Sequence, residues 1–137
     1  MVCLYCGGNT HVINSRLQKR QNTTWRRRMC DVCQNTFTTH EQPVLPKSVL
    51  VQKISKKRPE PLNRDRLFLS IYEACKHRPR VLTESAALTE TILATVLKTI
   101  HESVVERDTI AAVAHETLTN FDTTAAAIYA AYHQLPA

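Results

Sequence analysis

The sequence predicts an α+β fold: a small β module closed by cysteines over residues 1–46, then a mostly helical domain with a short β-hairpin over residues 47–137. Three observations carry this. Cys3-x-x-Cys6 and Cys30-x-x-Cys33 bracket an arm of 23 residues, offering four thiolates in two tight turns, as a tetrahedral Zn²⁺ requires. Between and just after these knuckles the segments are rich in Val, Ile, Thr, Trp and Phe, which favour strands. From Asn63 onward the apolar period changes from two to that of a helix.

Taken in order, His11–Leu17, Thr23–Met29 and Asn35–His40 read as three strands, with a turn at Gly7-Gly8-Asn9 and another at Gln21-Asn22 dividing the arm into an antiparallel pair. That is the pattern of a zinc ribbon. A module of about 45 residues buries too little apolar surface to fold alone, so metal has to supply stability. A disulfide pair or a redox CxxC are the alternatives. No signal peptide precedes Cys3, which favours a reducing cytosol, and the βαβ context of a thioredoxin motif is missing. His11 and His40 flank the ribbon as possible substitute ligands.

Pro43 and Pro46 mark a linker, and Ser48–Ile54 reads as one more strand before a basic loop closed by Pro61. Four helices follow. Asn63 is a candidate N-cap for the first, which turns Leu67, Ile71 and Ala74/Cys75 inward. The second runs from Thr83 or Ser85 to Glu102, burying Leu88, Ile92, Val96 and Ile100. Asp108 is expected to cap a third, with Ile110, Val113, Leu118 and Phe121 inward; Asp122 or Thr123 caps a fourth, with Ile128, Tyr129, Tyr132 and Leu135 in the core. Cys75 reads as a small core residue rather than a fifth ligand.

The 137 residues carry a formal net charge of +6, unevenly placed. Residues 1–46 hold six Lys/Arg against two acids, residues 47–80 ten against three, and residues 81–137 two against seven. A positive front half suggests a polyanionic partner. No run approaches the roughly 18 apolar residues of a membrane span, so a soluble, cytoplasmic protein is expected. An enzyme is disfavoured: there is no Walker motif, no carboxylate cluster for Mg²⁺, and no His with a Ser, Asp or Cys at catalytic spacing.

The ribbon's chemistry lies in its arginines. If residues 24–30 are extended, Arg26 and Arg28 project to one face while Trp25 and Arg27 project to the other. Arg16 on the facing strand completes the basic surface. The planar guanidinium fork suits phosphate and guanine, although the arginines could instead pair acids while the ribbon docks a protein.

Cys3-x-x-Cys6, Val12-Ile13-Asn14-Ser15-Arg16, Arg26-Arg27-Arg28-Met29-Cys30-x-x-Cys33 and Thr36-Phe37-Thr38-Thr39-His40-Glu41 together resemble the NrdR family, bacterial repressors of ribonucleotide reductase genes. Val51-Gln52-Lys53, Glu60-Pro61-Leu62, Arg66-Leu67 and Arg78-Pro79 look like landmarks of that family's second domain, an ATP-cone. The resemblance implies a zinc-ribbon DNA-binding domain over 1–46 and an ATP-cone for nucleotide binding and oligomerisation over 47–137. It also implies double-stranded promoter DNA and further copies of the chain as partners, with ATP and dATP as regulatory ligands that are bound rather than hydrolysed. Val51, Gln52, Lys53, Lys57, Arg58, Glu60 and Arg66 would form the nucleotide site: Lys53, Lys57, Arg58 and Arg66 against phosphates, Glu60 toward base or ribose. The chain departs from the family at Ser55-Lys56-Lys57-Arg58, where an Asp-Gly pair is usual, and at Leu62 in place of Phe. Its last helix also lacks an Arg and one aromatic. A member that binds DNA or a partner protein without sensing nucleotide is the alternative.

Overall fold

The computed structural model describes residues 1–53 and 58–133. Two compact units divide the chain, Met1–Val44 and Leu45–Ala137.

The first unit is a three-stranded antiparallel sheet in the order β1-β2-β3: β1 Thr10–Gln18, β2 Thr23–Cys30 and β3 Thr36–Glu41. The turn between β1 and β2 is closed by Gln21 N–H to Gln18 O at 3.1 Å, with Asn22 at φ 50°, a conformation Asn tolerates. The residue after each knuckle's second cysteine, Gly7 and Gln34, also takes a positive φ, 73° and 59°. Both knuckles thus reverse the chain at the same step. The apolar content of this unit is small: only Cys3, Cys30 and Phe37 are buried together, with Cys33 against them.

The second unit opens with one helical turn, α1 Leu45–Ser48, where a linker is expected. Pro46 sits in that turn, where its missing N–H leaves no bond unmade. Strand β4, Leu50–Gln52, is therefore shorter than Ser48–Ile54; Ile54 lies outside the described residues. It pairs antiparallel with β5, Glu60–Pro61, which completes the expected hairpin. A third strand, β6 Val104–Glu106, runs parallel to β4. Periodicity extends a helix toward Glu102 and gives no sign of this strand. Three residues are too few to show a period, and the pairing is held by a bond distant in sequence, Leu50 N–H to Ser103 O at 2.7 Å.

Around this sheet lie α2 Arg64–Ala74, α3 Val81–Thr99, α4 Arg107–Phe121 and α5 Thr123–His133. Asn63 caps α2, its Oδ1 accepting from Arg66 N–H at 3.0 Å. Asp122 caps α5, accepting from Thr124 and Ala125 N–H. The N-cap of α4 is Glu106, not Asp108, because β6 runs directly into the helix. Leu67, Ile71, Ala74 and Cys75 meet Leu88, Ile92, Val96, Ile110, Leu118 and Tyr129 in one core. Two aromatics expected there lie outside it: Phe121 is 39% exposed under the Arg78 guanidinium, and Tyr132 is 75% exposed. Among the described residues no helix is long and apolar enough to cross a membrane.

Candidate functional site

The sulfur atoms of Cys3, Cys6, Cys30 and Cys33 all lie within 4.8 Å of one another. Across the knuckles Cys3 and Cys33 are 3.7 Å apart, and Cys6 and Cys30 3.5 Å. A tetrahedron with Zn–S of about 2.3 Å has edges of about 3.8 Å, so the sulfurs already stand at ligand spacing. Disulfides need about 2.05 Å, and none is formed. The donor set, all cysteine sulfur and pre-gathered, fits a closed structural zinc site.

Backbone N–H groups turn toward these sulfurs: Tyr5 N–H to Cys3, and Val32 and Cys33 N–H to Cys30, each at 3.4 Å. The Cys33 N–H is the main reason the Cys30 thiol is lowered to about 6. At Cys6 a Gly8 N–H favours the thiolate, but the thiols of Cys30 and Cys33 oppose it and push the group up to about 12. Four sulfurs compete for negative charge without a cation; Zn²⁺ would let all four ionise. Close approach of the knuckles requires Gly8: a Cβ there would stand 2.8 Å from Val32 Cγ2 and 3.4 Å from Cys30 Sγ. His11 gives its Nδ1 to Asp31 at 2.6 Å instead of joining the cluster, and His40 is likewise outside the cysteine cluster.

The arginines sit on the central strand of the ribbon. Register places Arg26 opposite Thr39 and Arg27 opposite Thr38. Arg27 donates to Thr38 and Thr36 at 3.2 and 2.6 Å, Arg28 to Thr39 at 3.3 Å, and Arg26 pairs with Glu41 at 2.9 Å. These bonds hold the three guanidinium groups along one strand on alternating faces. Arg16 pairs opposite Trp25, and so shares the face of Trp25 and Arg27. A bulge between Val12 and Asn14 decides this, because the one-residue shift moves Arg16 to the other side of the sheet.

In the second unit a cavity of about 300 Å³ opens between sheet and helices. Of the predicted nucleotide residues, Val51, Lys53, Glu60 and Arg66 line it. Val51 and Glu60 are partners across β4 and β5, Lys53 Nζ meets Glu60 at 2.9 Å, and Arg66 approaches the same carboxylate at 3.8 Å. Gln52 and Arg58 are not among the described lining residues, and Lys57 lies outside the described residues. The far wall adds residues outside the predicted nucleotide set: Ser70 of α2, Arg107 of α4, and Tyr129 and His133 of α5. His133 stacks on Tyr129 at 4.1 Å and bonds Ser70 Oγ through Nε2 at 2.7 Å. Burial, then the nearby Arg107, lowers the His133 pKa, while burial pushes the Tyr129 hydroxyl up to about 12. The i,i+4 spacing of Tyr129 and His133 was the available signal for this wall, since it puts both on one side of a helix.

Residues 1–41 match the family described as "Transcriptional repressor NrdR-like, N-terminal domain". The chain is 38% identical over 79 residues to the transcriptional repressor NrdR of Symbiobacterium thermophilum, covering 58% of this chain and 51% of that one. It is 36% identical over 106 residues to that of Syntrophotalea carbinolica, covering 75% and 62%. With that of Lachnoclostridium phytofermentans, identity is 28% over 135 residues, 98% of this chain and 86% of the relative. The match thus spans only half to three-fifths of the first two relatives, but extends along almost the whole chain in the third. With the ribbon's four cysteines gathered at ligand spacing and the likeness continuing beyond it, this chain belongs to the NrdR family.

Proposed function

We propose that this chain is a zinc-dependent transcriptional repressor that binds promoter DNA of ribonucleotide reductase genes through residues 1–46. Its second domain, an ATP-cone over residues 47–137, senses ATP and dATP and sets the oligomeric state. The observation that carries the reading is the arginine-bearing central strand of a sheet whose end is fixed by the four cysteines. Zinc held by those cysteines would tie the knuckles together and make the ribbon rigid. Arg26 and Arg28 on one face, and Arg16 and Arg27 on the other, would neutralise phosphates or donate to base edges. The relatives are named as repressors, not enzymes.

The cavity beside Lys53, Glu60 and Arg66 supports the sensing role: it pairs cations with an apolar wall, as a nucleotide requires. Regulation follows if ATP and dATP favour different assemblies, since a ligand shifts an equilibrium only through its differential affinity for the states. The test is fluorescence anisotropy of a reductase-promoter duplex against a scrambled duplex, without nucleotide and with ATP or dATP, alongside light scattering. Preference for the promoter that changes with nucleotide and oligomer size is expected. Equal binding to both duplexes would remove the repressor reading; promoter binding indifferent to nucleotide would remove the sensing role alone.

A further inference from the structure

The parallel pairing of β4 and β6 ends at Gln52 opposite Glu106, so Lys53 and Arg107 are the next residues of two adjoining strands. Both line the cavity. Neighbouring strands lie about 4.8 Å apart, and two cations brought to adjacent strand ends repel unless an anion joins them. Glu60 answers Lys53 at 2.9 Å and Arg66 at 3.8 Å. Arg107 has no ion-pair partner among the described residues. It also occupies the first position of α4, where a cation opposes the helix dipole and contributes nothing to helix stability. Glu60 is the only carboxylate among the described lining residues, against three cations, Lys53, Arg66 and Arg107.

We infer that Arg107 is an anion-binding residue of this cavity, acting beside Lys53 to hold the phosphate chain of a nucleoside triphosphate between the end of β4 and the first turn of α4. The inference rests on the nucleotide reading above for the ligand's identity, and on the register for the site. Arg107 supplies the forked, always-charged donor that suits phosphate oxygens. Lys53, already committed to Glu60, supplies a point charge next to it. Because Arg107 belongs to α4 and Lys53 follows β4, the ligand would bridge helix and sheet.

Isothermal titration of the full chain with magnesium ATP and, separately, with tripolyphosphate tests this, using wild type, Arg107→Gln, Arg107→Lys and the exposed control Arg80→Gln. Thermal melting and 222 nm ellipticity establish that each variant folds. Losing one charged hydrogen-bond donor should weaken both ligands by about ten- to hundredfold in Arg107→Gln, with partial recovery in Arg107→Lys and no change in Arg80→Gln. Wild-type ATP affinity in Arg107→Gln would overturn the inference and leave the nucleotide reading standing. Tripolyphosphate binding that depends on Arg107, without ATP binding, would keep the anion site and overturn the nucleotide reading. Failure of wild type to bind either ligand would overturn both.

Discussion

Removing the metal should unfold the ribbon and leave the helical unit standing. The magnitude follows from what each unit buries. Within Met1–Val44 the one large apolar side chain in the buried cluster is Phe37, worth about 1.5–3 kcal/mol. Binding of zinc by small cysteine-ligated modules is worth about 10–16 kcal/mol at neutral pH, several times more. The second unit is different: Ile71, Ile92, Val96 and Leu118 are fully buried in a continuous core that owes nothing to a metal. The chain's single tryptophan, Trp25, lies half-buried in β2 and reports on the ribbon alone. All five helices among the described residues belong to the second unit. Chelation after mercurial release of the thiols, with zinc quantified by a colorimetric dye, should therefore shift Trp25 emission to longer wavelength and open residues 1–44 to protease. Ellipticity at 222 nm should stay essentially unchanged. Complete zinc loss with unaltered Trp25 emission would mean that the ribbon folds without its metal, as would a sample purified without one equivalent of it.

The two knuckle glycines should fail in different ways. Gly7→Ala has open space around its Cβ but keeps φ 73°, so its cost is backbone strain of about 1–2 kcal/mol. Gly8→Ala should lower zinc retention through overpacking by about 1–3 kcal/mol, and Val32→Ala should relieve part of that deficit; competition with a chelator measures both. If the ribbon neutralises phosphates, Arg26→Ala/Arg28→Ala should reduce the log–log salt slope of DNA binding by roughly 0.9 for each phosphate left without its arginine. An unchanged slope with unchanged affinity removes those residues from the interface. Acid sensitivity of the helical unit should centre on Asp122 and Glu84. The Asp122 carboxyl is held well below the usual range by the Ala125 N–H, then by Arg78 and His77, and Glu84 is lowered chiefly by Arg78. Both folded values lie beneath the unfolded ones, so their stabilisation is complete above about pH 5 and is lost as pH falls through the folded values. Asp122→Asn should flatten the melting temperature between roughly pH 4 and 2; an unaltered profile would count against the pairing of Asp122 with Arg78 and His77.

Features that depend on short spacing were legible in the chain before any fold was known. The CxxC pairs picked out the four cysteines that the fold gathers, because two residues between cysteines suffice to turn both sulfurs to one point. Asn63 and Asp122 announced two helix starts, since a cap acts on N–H groups two or three residues away. Alternation along residues 24–30 separated Arg27 from Arg26 and Arg28. Other features turn on residues far apart in sequence, and packing alone settled them. The bulge at Ile13 moved Arg16 to the face of Trp25, a choice set by β1–β2 register. Pairing of β4 with β6 across 54 positions placed Arg107 beside Lys53, and docking of α5 on α2 brought His133 to Ser70. Periodicity reports which side of an element is apolar; it does not report which distant element will cover that side, and the cavity's far wall is built from that second kind of information.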